Sequence, residues 1–367
     1  MIALPGVVDA APLVSLYDGI LSRPSEIGVR RLGTPSFEWV PADQRAIVDI
    51  AAYVSGASGK AMLVTGAHTQ ELTDADDLDP SGTTWAWVGA SGTVDADAAT
   101  APDGGDADKV NFAAATGSRL SQTITAASLI DDVNYTLSVW AKAESGTEEF
   151  RLRATDKSGT EKQAGFTATT TWQRFDFTFN VGSDASPSDV TCAMRNASDG
   201  AARSVLFWLP NLTQDAYPAP TIRGSTPATL AATQWDVPEV AEILSGKWTV
   251  DAYPLYATGE QGPVANRVVV GTDSYIDGSL QYRSSVAVLR RPNEPQLSRT
   301  VSYSRLQKHT YIVDQTVASF TVSGFDSGDG TDTGPVDTWN SSRIGIGSQA
   351  VDGNNPFNGL ITAIERA

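Results

Sequence analysis

The sequence offers few groups able to act as bases or nucleophiles: two histidines, His68 and His309, and one cysteine, Cys192. A nucleophile–histidine–acid arrangement would have to use one of the two imidazoles, and His309 opens a strand-like run. Each histidine reads as structural or exposed. The 43 acidic residues are numerous enough for a carboxylate pair to meet through space, because the separation of acid and base is set by the fold. The adjacent Glu148 and Glu149, however, point to opposite faces of a strand and form no such pair. In "DVTCAMRN", Cys192 shares a face with Val190 and Met194, the pattern of a small core residue and not of a reactive thiol. No enzyme is expected.

Oxygen donors are a better prospect. "DLDPSG" (Asp77 to Gly82) places Asp77, Asp79 and Ser81 at alternate positions, the opening of a loop in which side chains face one calcium ion. Against that, Val88 stands at the twelfth position where a glutamate would close the shell, and Pro80 is unusual in such a loop. The competing reading is a solvated acidic turn. A second acidic stretch, "DSGDGTDTGPVD" after Phe325, lacks any ligand spacing and reads as plain loop. Glycan binding needs a flat ring flanked by donors on an exposed sheet face. If Tyr135, Leu137 and Val139 face the core, Trp140 faces out, and the same parity turns Arg151, Arg153, Arg174 and Asp176 outward. Such a set would hold an acidic or hydroxyl-rich sugar. The alternative is that Trp140 packs against a neighbouring domain or subunit while the arginines are solvated.

The elements that must position these residues are strands. The chain has 367 residues, 41% hydrophobic and 19% charged, a globular composition long enough for two or three domains. "YTLSVWAKA", "EFRLRATD" and "RFDFTFNV" alternate apolar and polar residues, as half-buried strands do. Between "TTWAWVGA" and "DKVNF", the acidic run from Ala96 reads as an ordered crossing loop, with Pro102-Asp103-Gly104-Gly105 supplying a turn. "AYPAPTIRGSTPAT" (216–229) carries three prolines and reads as a semi-rigid spacer. Further strands follow from "KWTVDAYPLYA" to "GLITAIER", with "VPEVAEIL" as a short helix. In the first 66 residues, "PADQRAIVDIAAYVSG" places Ile47, Ile50, Ala51 and Val54 at helical spacing before Gly56. That segment is too small for its own core and is expected to dock on a partner or another copy of the chain. Trp235 and Trp339 lie near loops, where either core or subunit contacts would suit them.

A net charge of −17 without a basic cluster disfavours nucleic acid. A lone cysteine fits a reducing compartment. The first 25 residues lack the pattern of a signal peptide, and no apolar run would span a membrane. Synthesis in a cytoplasm is expected.

The middle region resembles the jelly-roll, carbohydrate-binding-module-like domain of phage and prophage virion proteins. The resemblance runs through Trp85-Ala86-Trp87, "DADAATAPDGGDADKV", "LSQTIT", "NYTLSVWAKA" and "TTTWQRFDFTF", to the exit "LFWLPNLTQDAYPAPTI" with Trp208 and Leu212. The last region is similar to a concanavalin A-like, laminin-G-like sandwich in "HTYIVDQTVASFTVSG" and "SSRIGIGSQAVDGNNPFNGLITAIERA". The tight E-x-D-x-E or E-x-D-x-x-E motif of glycosidases on that fold is missing.

The expected fold class is therefore all-β: two antiparallel β-sandwich (jelly-roll) domains in tandem, with a short N-terminal anchoring segment containing one helix. The expected divisions are an attachment or oligomerisation segment at 1–66, a carbohydrate-binding-module-like jelly roll at 67–222 and a concanavalin A-like sandwich at 223–367. The resemblance implies a non-enzymatic phage virion protein, a fiber or receptor-binding component that binds host-surface polysaccharide. It would be trimeric, with other virion proteins held by its N-terminal segment. Alternatives are a capsid decoration or head-fiber protein, whose sandwiches contact other proteins, and a secreted bacterial carbohydrate-binding module. No nucleic acid, membrane insertion or obligatory cofactor is expected, with calcium as an optional ligand.

Overall fold

The computed structural model describes residues 15, 20–22, 27–30, 37–42, 44–82, 84–197, 200–223, 226–230, 232–238, 241–260, 267–272, 278–283, 285–291, 295–334, 339, 341, 343–347 and 357–367. Among these the regular structure is nearly all antiparallel strand, with one short α-helix, Ala241–Ser245, inside the "VPEVAEIL" window. The strands form two sandwiches, as the alternating pattern requires.

In the first sandwich, Asn134–Lys142 pairs with Gln173–Asn180 on one side and Arg203–Thr213 on the other. Its inward residues Tyr135, Leu137, Val139 and Ala141 meet Phe150, Leu152 and Ala154 from the facing sheet. That facing sheet is ordered Glu161–Thr169, Thr147–Thr155, Val190–Asn196, Arg119–Ile124, Ala86–Val88. Phe150 and Phe207 meet edge-on across the core at 5.1 Å, and each such fully buried side chain stabilises the fold by roughly 1.5–3 kcal/mol. Cys192 sits in this core between Val190 and Met194. The acidic run from Ala96 is a hairpin and not a crossing loop: Thr93–Thr100 pairs with Asp106–Phe112. The expected turn chemistry does close it. The Ala101 N–H donates to Gly105 O at 2.8 Å, and Gly104 takes the left-handed φ of 89° that glycine allows.

The second sandwich has one sheet ordered Ile20–Ser22, Gln234–Pro238, Arg343–Ile346, Arg267–Gly271, Ser279–Arg283, Val286–Arg290, Leu297–Thr300. The facing sheet runs Gly330–Thr333, Ser319–Ser323, His309–Asp314, Lys247–Pro254, Gly359–Ile361, Lys60–Val64, Ile47–Asp49, and Glu365–Arg366 also pairs with Lys247–Pro254. Trp235, Trp248 and Trp339 all lie in the core between these sheets. Trp339 donates Nε1–H to Arg290 O at 2.9 Å, so Trp235 and Trp339 are core residues and not subunit contacts. Within "DSGDGTDTGPVD", Gly330–Thr333 is an edge strand, and residues 335–337 lie outside the described residues, as do 348–356 of the closing glycine-rich stretch.

Two expectations about the N-terminal region require correction. Residues 47–54 do not form a helix. Ile47–Asp49 is a strand paired with Lys60–Val64, Ile47 opposite Met62, and only Ile50–Ala52 turns, as a 3-10 segment. β-branched Ile47 and Val48 gain more by completing a sheet edge than by helical spacing. Nor do the described parts of this region stand apart from the second sandwich: Lys60–Val64 pairs with Gly359–Ile361, Ile20–Ser22 pairs with Gln234–Pro238, and Val29, Val48 and Leu63 share a core with Tyr253 and Leu360. The prolines of 216–229 likewise do not make a free spacer. Tyr217 and Ala219 are fully buried, and Asn211 exchanges hydrogen bonds with both the N–H and the C=O of Ile222. Residues 224–225 of that stretch lie outside the described residues.

Candidate carbohydrate-binding surface

Strand parity turns Trp140, Arg174 and Asp176 outward together. Trp140 lies opposite Arg174 and Ser138 opposite Asp176, all on the outer face of the sheet built around Asn134–Lys142. That face is covered, which corrects the expectation of an exposed platform. Trp140 is only 6% exposed. Phe37, from the strand Phe37–Val40, stands edge-on to it at 5.8 Å, Trp208 lies 6.2 Å away, and its Nε1–H donates to Thr221 Oγ1 at 3.2 Å. Together with Leu209 these rings form a small separate core.

Arg174 donates Nη2–H to Ser138 Oγ at 2.8 Å. Enclosure in the joint lowers its pKa to about 10, an effect that Asp176 partly opposes. Asp176 in turn is claimed by Arg305 of the second sandwich. The three residues thus meet, in a cleft of about 240 Å³ whose other walls include Tyr53, Leu63, Leu255 and Leu306. It is the joint between the two bodies.

Arg151 and Arg153 also point outward, but from Thr147–Thr155 in the opposite sheet, so the five residues are divided between two faces. "Outward" names two faces in a sandwich, and periodicity does not say which. This second face is open: Glu161, Gln163, Gly165 and Thr167 on its edge strand are all exposed. Arg153 Nε lies 2.8 Å from Glu161 Oε2. Arg195 Nη1 lies 2.5 Å from Glu161 Oε1 and 3.1 Å from Gln163 Oε1, while its Nε–H donates to Thr116 O at 3.0 Å. Partial burial alone would raise the pKa of Glu161, but hydrogen bonds and charge from Arg153 and Arg195 hold its carboxyl below the usual range.

Arg119 and Arg195 belong to this face and were missed by the sequence reading. The signal was present: Leu120 and Met194 are core residues, so their chain neighbours Arg119 and Arg195 must face out. Guanidinium forks of this kind donate to carboxylates or to paired hydroxyls. The outward positions of Ala86–Val88, Arg119–Ile124 and Val190–Asn196 carry no aromatic ring, so recognition here would be polar and not by stacking.

The "DLDPSG" loop spends its carboxylates on its own turn. Asp77 Oδ1 accepts the Asp79 N–H at 3.0 Å, and Asp79 accepts both the Ser81 N–H at 2.8 Å and the Ser81 hydroxyl at 2.6 Å. These bonds from Ser81 lower the pKa of Asp79. Among the described residues, no three His, Cys, Asp or Glu side chains converge as metal ligands would. His68 is buried, with Nδ1 2.6 Å from Asp215 Oδ2. His309 is buried against Tyr282 and stacked on Phe325 at 3.9 Å, and burial lowers its pKa to about 3.

No curated protein matches the chain. Among solved structures, the CBM22-1 xylan-binding domain of Paenibacillus barcinonensis Xyn10C is similar at 15% identity and a TM-score of 0.30, over 40% of this chain and 90% of that one. The C-terminal family 22 carbohydrate binding module of Clostridium thermocellum Xyn10B is similar at 16% identity and a TM-score of 0.30, over 38% of this chain and 90% of that one. Residues 74–199 match a family described as a carbohydrate binding domain, which takes in all five strands of the open-face sheet and, from the covered one, Asn134–Lys142 and Gln173–Asn180 but not Arg203–Thr213.

Proposed function

We propose that the chain is a non-enzymatic glycan-binding protein of a bacteriophage particle, a fiber or receptor-binding component that holds host-surface polysaccharide on the open face of its first sandwich. The observation that carries the binding role is the family match over residues 74–199, which includes all five strands of the sheet that carries that face. The particle context is supported by the order of elements from Trp85 to Trp208, which resembles virion jelly rolls. The two-sheet packing of the second sandwich supports a concanavalin A-like reading of that body. Trimeric assembly would let several weak sites act together, a gain of about 10²–10⁴ in avidity. Calcium is not needed in this scheme.

A second reading, a capsid decoration or head-fiber subunit, is favoured by one observation: the outer face around Trp140 already serves as a protein–protein contact within the chain. The deciding experiment presents the full chain to an array of bacterial surface polysaccharides and, separately, to capsid shells. Binding to a polysaccharide supports the receptor role; silence on the array with tight capsid binding replaces it with decoration. Export of the chain from a bacterial host would instead favour a secreted module.

A further inference from the structure

Three arginines lie in one row across adjacent strands of the open face. Arg119 is directly opposite Arg195, and Arg195 is directly opposite Arg151. Neighbouring strands are about 4.8 Å apart, and like charges placed opposite one another destabilise a sheet. The compensation within the chain is incomplete. Glu161 is bonded to Arg195 in this row and to Arg153 in the next. The Arg151 side chain has no hydrogen bond or ion pair among the described residues. Arg119 Nε is buried without a hydrogen-bond partner. Burial, followed by repulsion from Arg153 and Arg195, lowers the Arg119 pKa.

In a chain with 43 acidic and 26 basic residues, a row of guanidinium groups left short of carboxylates is a costly arrangement for the fold alone. The surroundings leave space for a ligand. The row ends at Gly165, opposite Arg151, where an added Cβ would meet nothing within 4 Å.

We infer that this row binds an acidic polysaccharide, one bearing carboxylate or sulfate groups at regular intervals along the chain. The inference rests on reading the first sandwich as a glycan-binding domain and names its ligand class. Guanidinium forks supply paired donors to such groups. The lack of outward aromatic rings on the three strands beside and beneath the row disfavours single-stranded nucleic acid, which relies on base stacking.

The test uses the full chain and calorimetric titration with polygalacturonate, its methyl-esterified form, dextran sulfate, neutral xylan and single-stranded DNA. The expected result is binding of polygalacturonate or dextran sulfate that weakens as salt is raised. Arg151→Gln should bind about tenfold more weakly, the loss of one charge-assisted contact, and the esterified polymer, stripped of every carboxylate, should bind more weakly still. Arg151 has no partner to strand, so its variant should fold normally, and Arg119→Gln provides an independent check. Equal binding of esterified and free polymer, or undiminished binding by both variants, overturns the arginine row while leaving glycan binding intact. DNA binding as tight as the polyuronate overturns the ligand class. Failure of every polysaccharide removes both the row and the glycan-binding reading.

Discussion

Arg305 and Asp176 tie the two sandwiches together, with Arg305 Nη1 3.0 Å from Asp176 Oδ2. The same guanidinium bonds Glu260 at 2.8 Å and the Ala216 carbonyl at 3.2 Å, so one side chain joins the second body, the first body and the segment between them. Both partners are about 30% exposed, which places their coupling in the range of partly solvated pairs. A double-mutant cycle of Arg305→Gln and Asp176→Asn, followed by urea unfolding, should give a coupling of about 0.5–1 kcal/mol. Strict additivity would show that the contact does not hold the joint.

Trp140 belongs to that joint as packing. Trp140→Ala should destabilise the protein by about 3–5 kcal/mol, the cost of emptying a buried aromatic site. The loss would appear as a lower melting temperature. A change below about 1 kcal/mol would mean that Phe37 and Trp208 do not enclose the ring.

His309 makes stability depend on pH. Its folded pKa, about 3, lies below the unfolded value of about 6.5, so between these limits the unfolded chain binds the extra proton. Its contribution is fully present above pH 6.5 and is lost as pH falls toward 3, with a slope of up to about 1.4 kcal/mol per pH unit. Urea midpoints measured from pH 7 to pH 4.5 should fall less steeply in His309→Gln than in the parent. Identical slopes would assign the acid sensitivity to other groups.

Cys192 should be inert in the folded protein. Burial raises its pKa to about 12, and the thiolate is the reactive form. An aromatic disulfide reagent at pH 8 should label it only after denaturant is added. Rapid labelling of native protein would contradict the core position.

The Asp77–Ser81 loop gives a simple measurement. Because its carboxylates already accept bonds from their own turn, the melting curve should be the same in EDTA and in millimolar calcium. A rise with calcium would assign Asp77, Asp79 and Ser81 to a metal site.

Much of the first sandwich was legible from alternation. Tyr135, Leu137 and Val139 inward, Phe150, Leu152 and Ala154 inward, and Cys192 between two core neighbours all follow from a two-residue period, because a half-buried strand permits no other arrangement. The candidate surface was legible only in half. Parity marked Arg151, Arg153, Arg174 and Trp140 as outward, yet parity is a property of a single strand and carries no information about which sheet the strand joins. The helix expected over 47–54 failed for a related reason. Its spacing suited a helix, but a sheet edge 300 residues away in sequence was available to pair with its hairpin partner, Lys60–Val64.

What the sequence determined by itself was local: strand content, the inward residue of each pair, the turn at Pro102–Gly105 and the short helix at Ala241–Ser245. These depend on backbone geometry and on burial of one side of a strand, both of which act over a few residues. The tertiary structure alone decided which outer face is sealed and which is open. It also decided that Phe37 covers Trp140, and that Arg119, Arg195 and Arg151 fall in one row. Those outcomes depend on strand order and register between segments far apart in the chain, where the free energy of packing is shared among many residues and no single stretch encodes it.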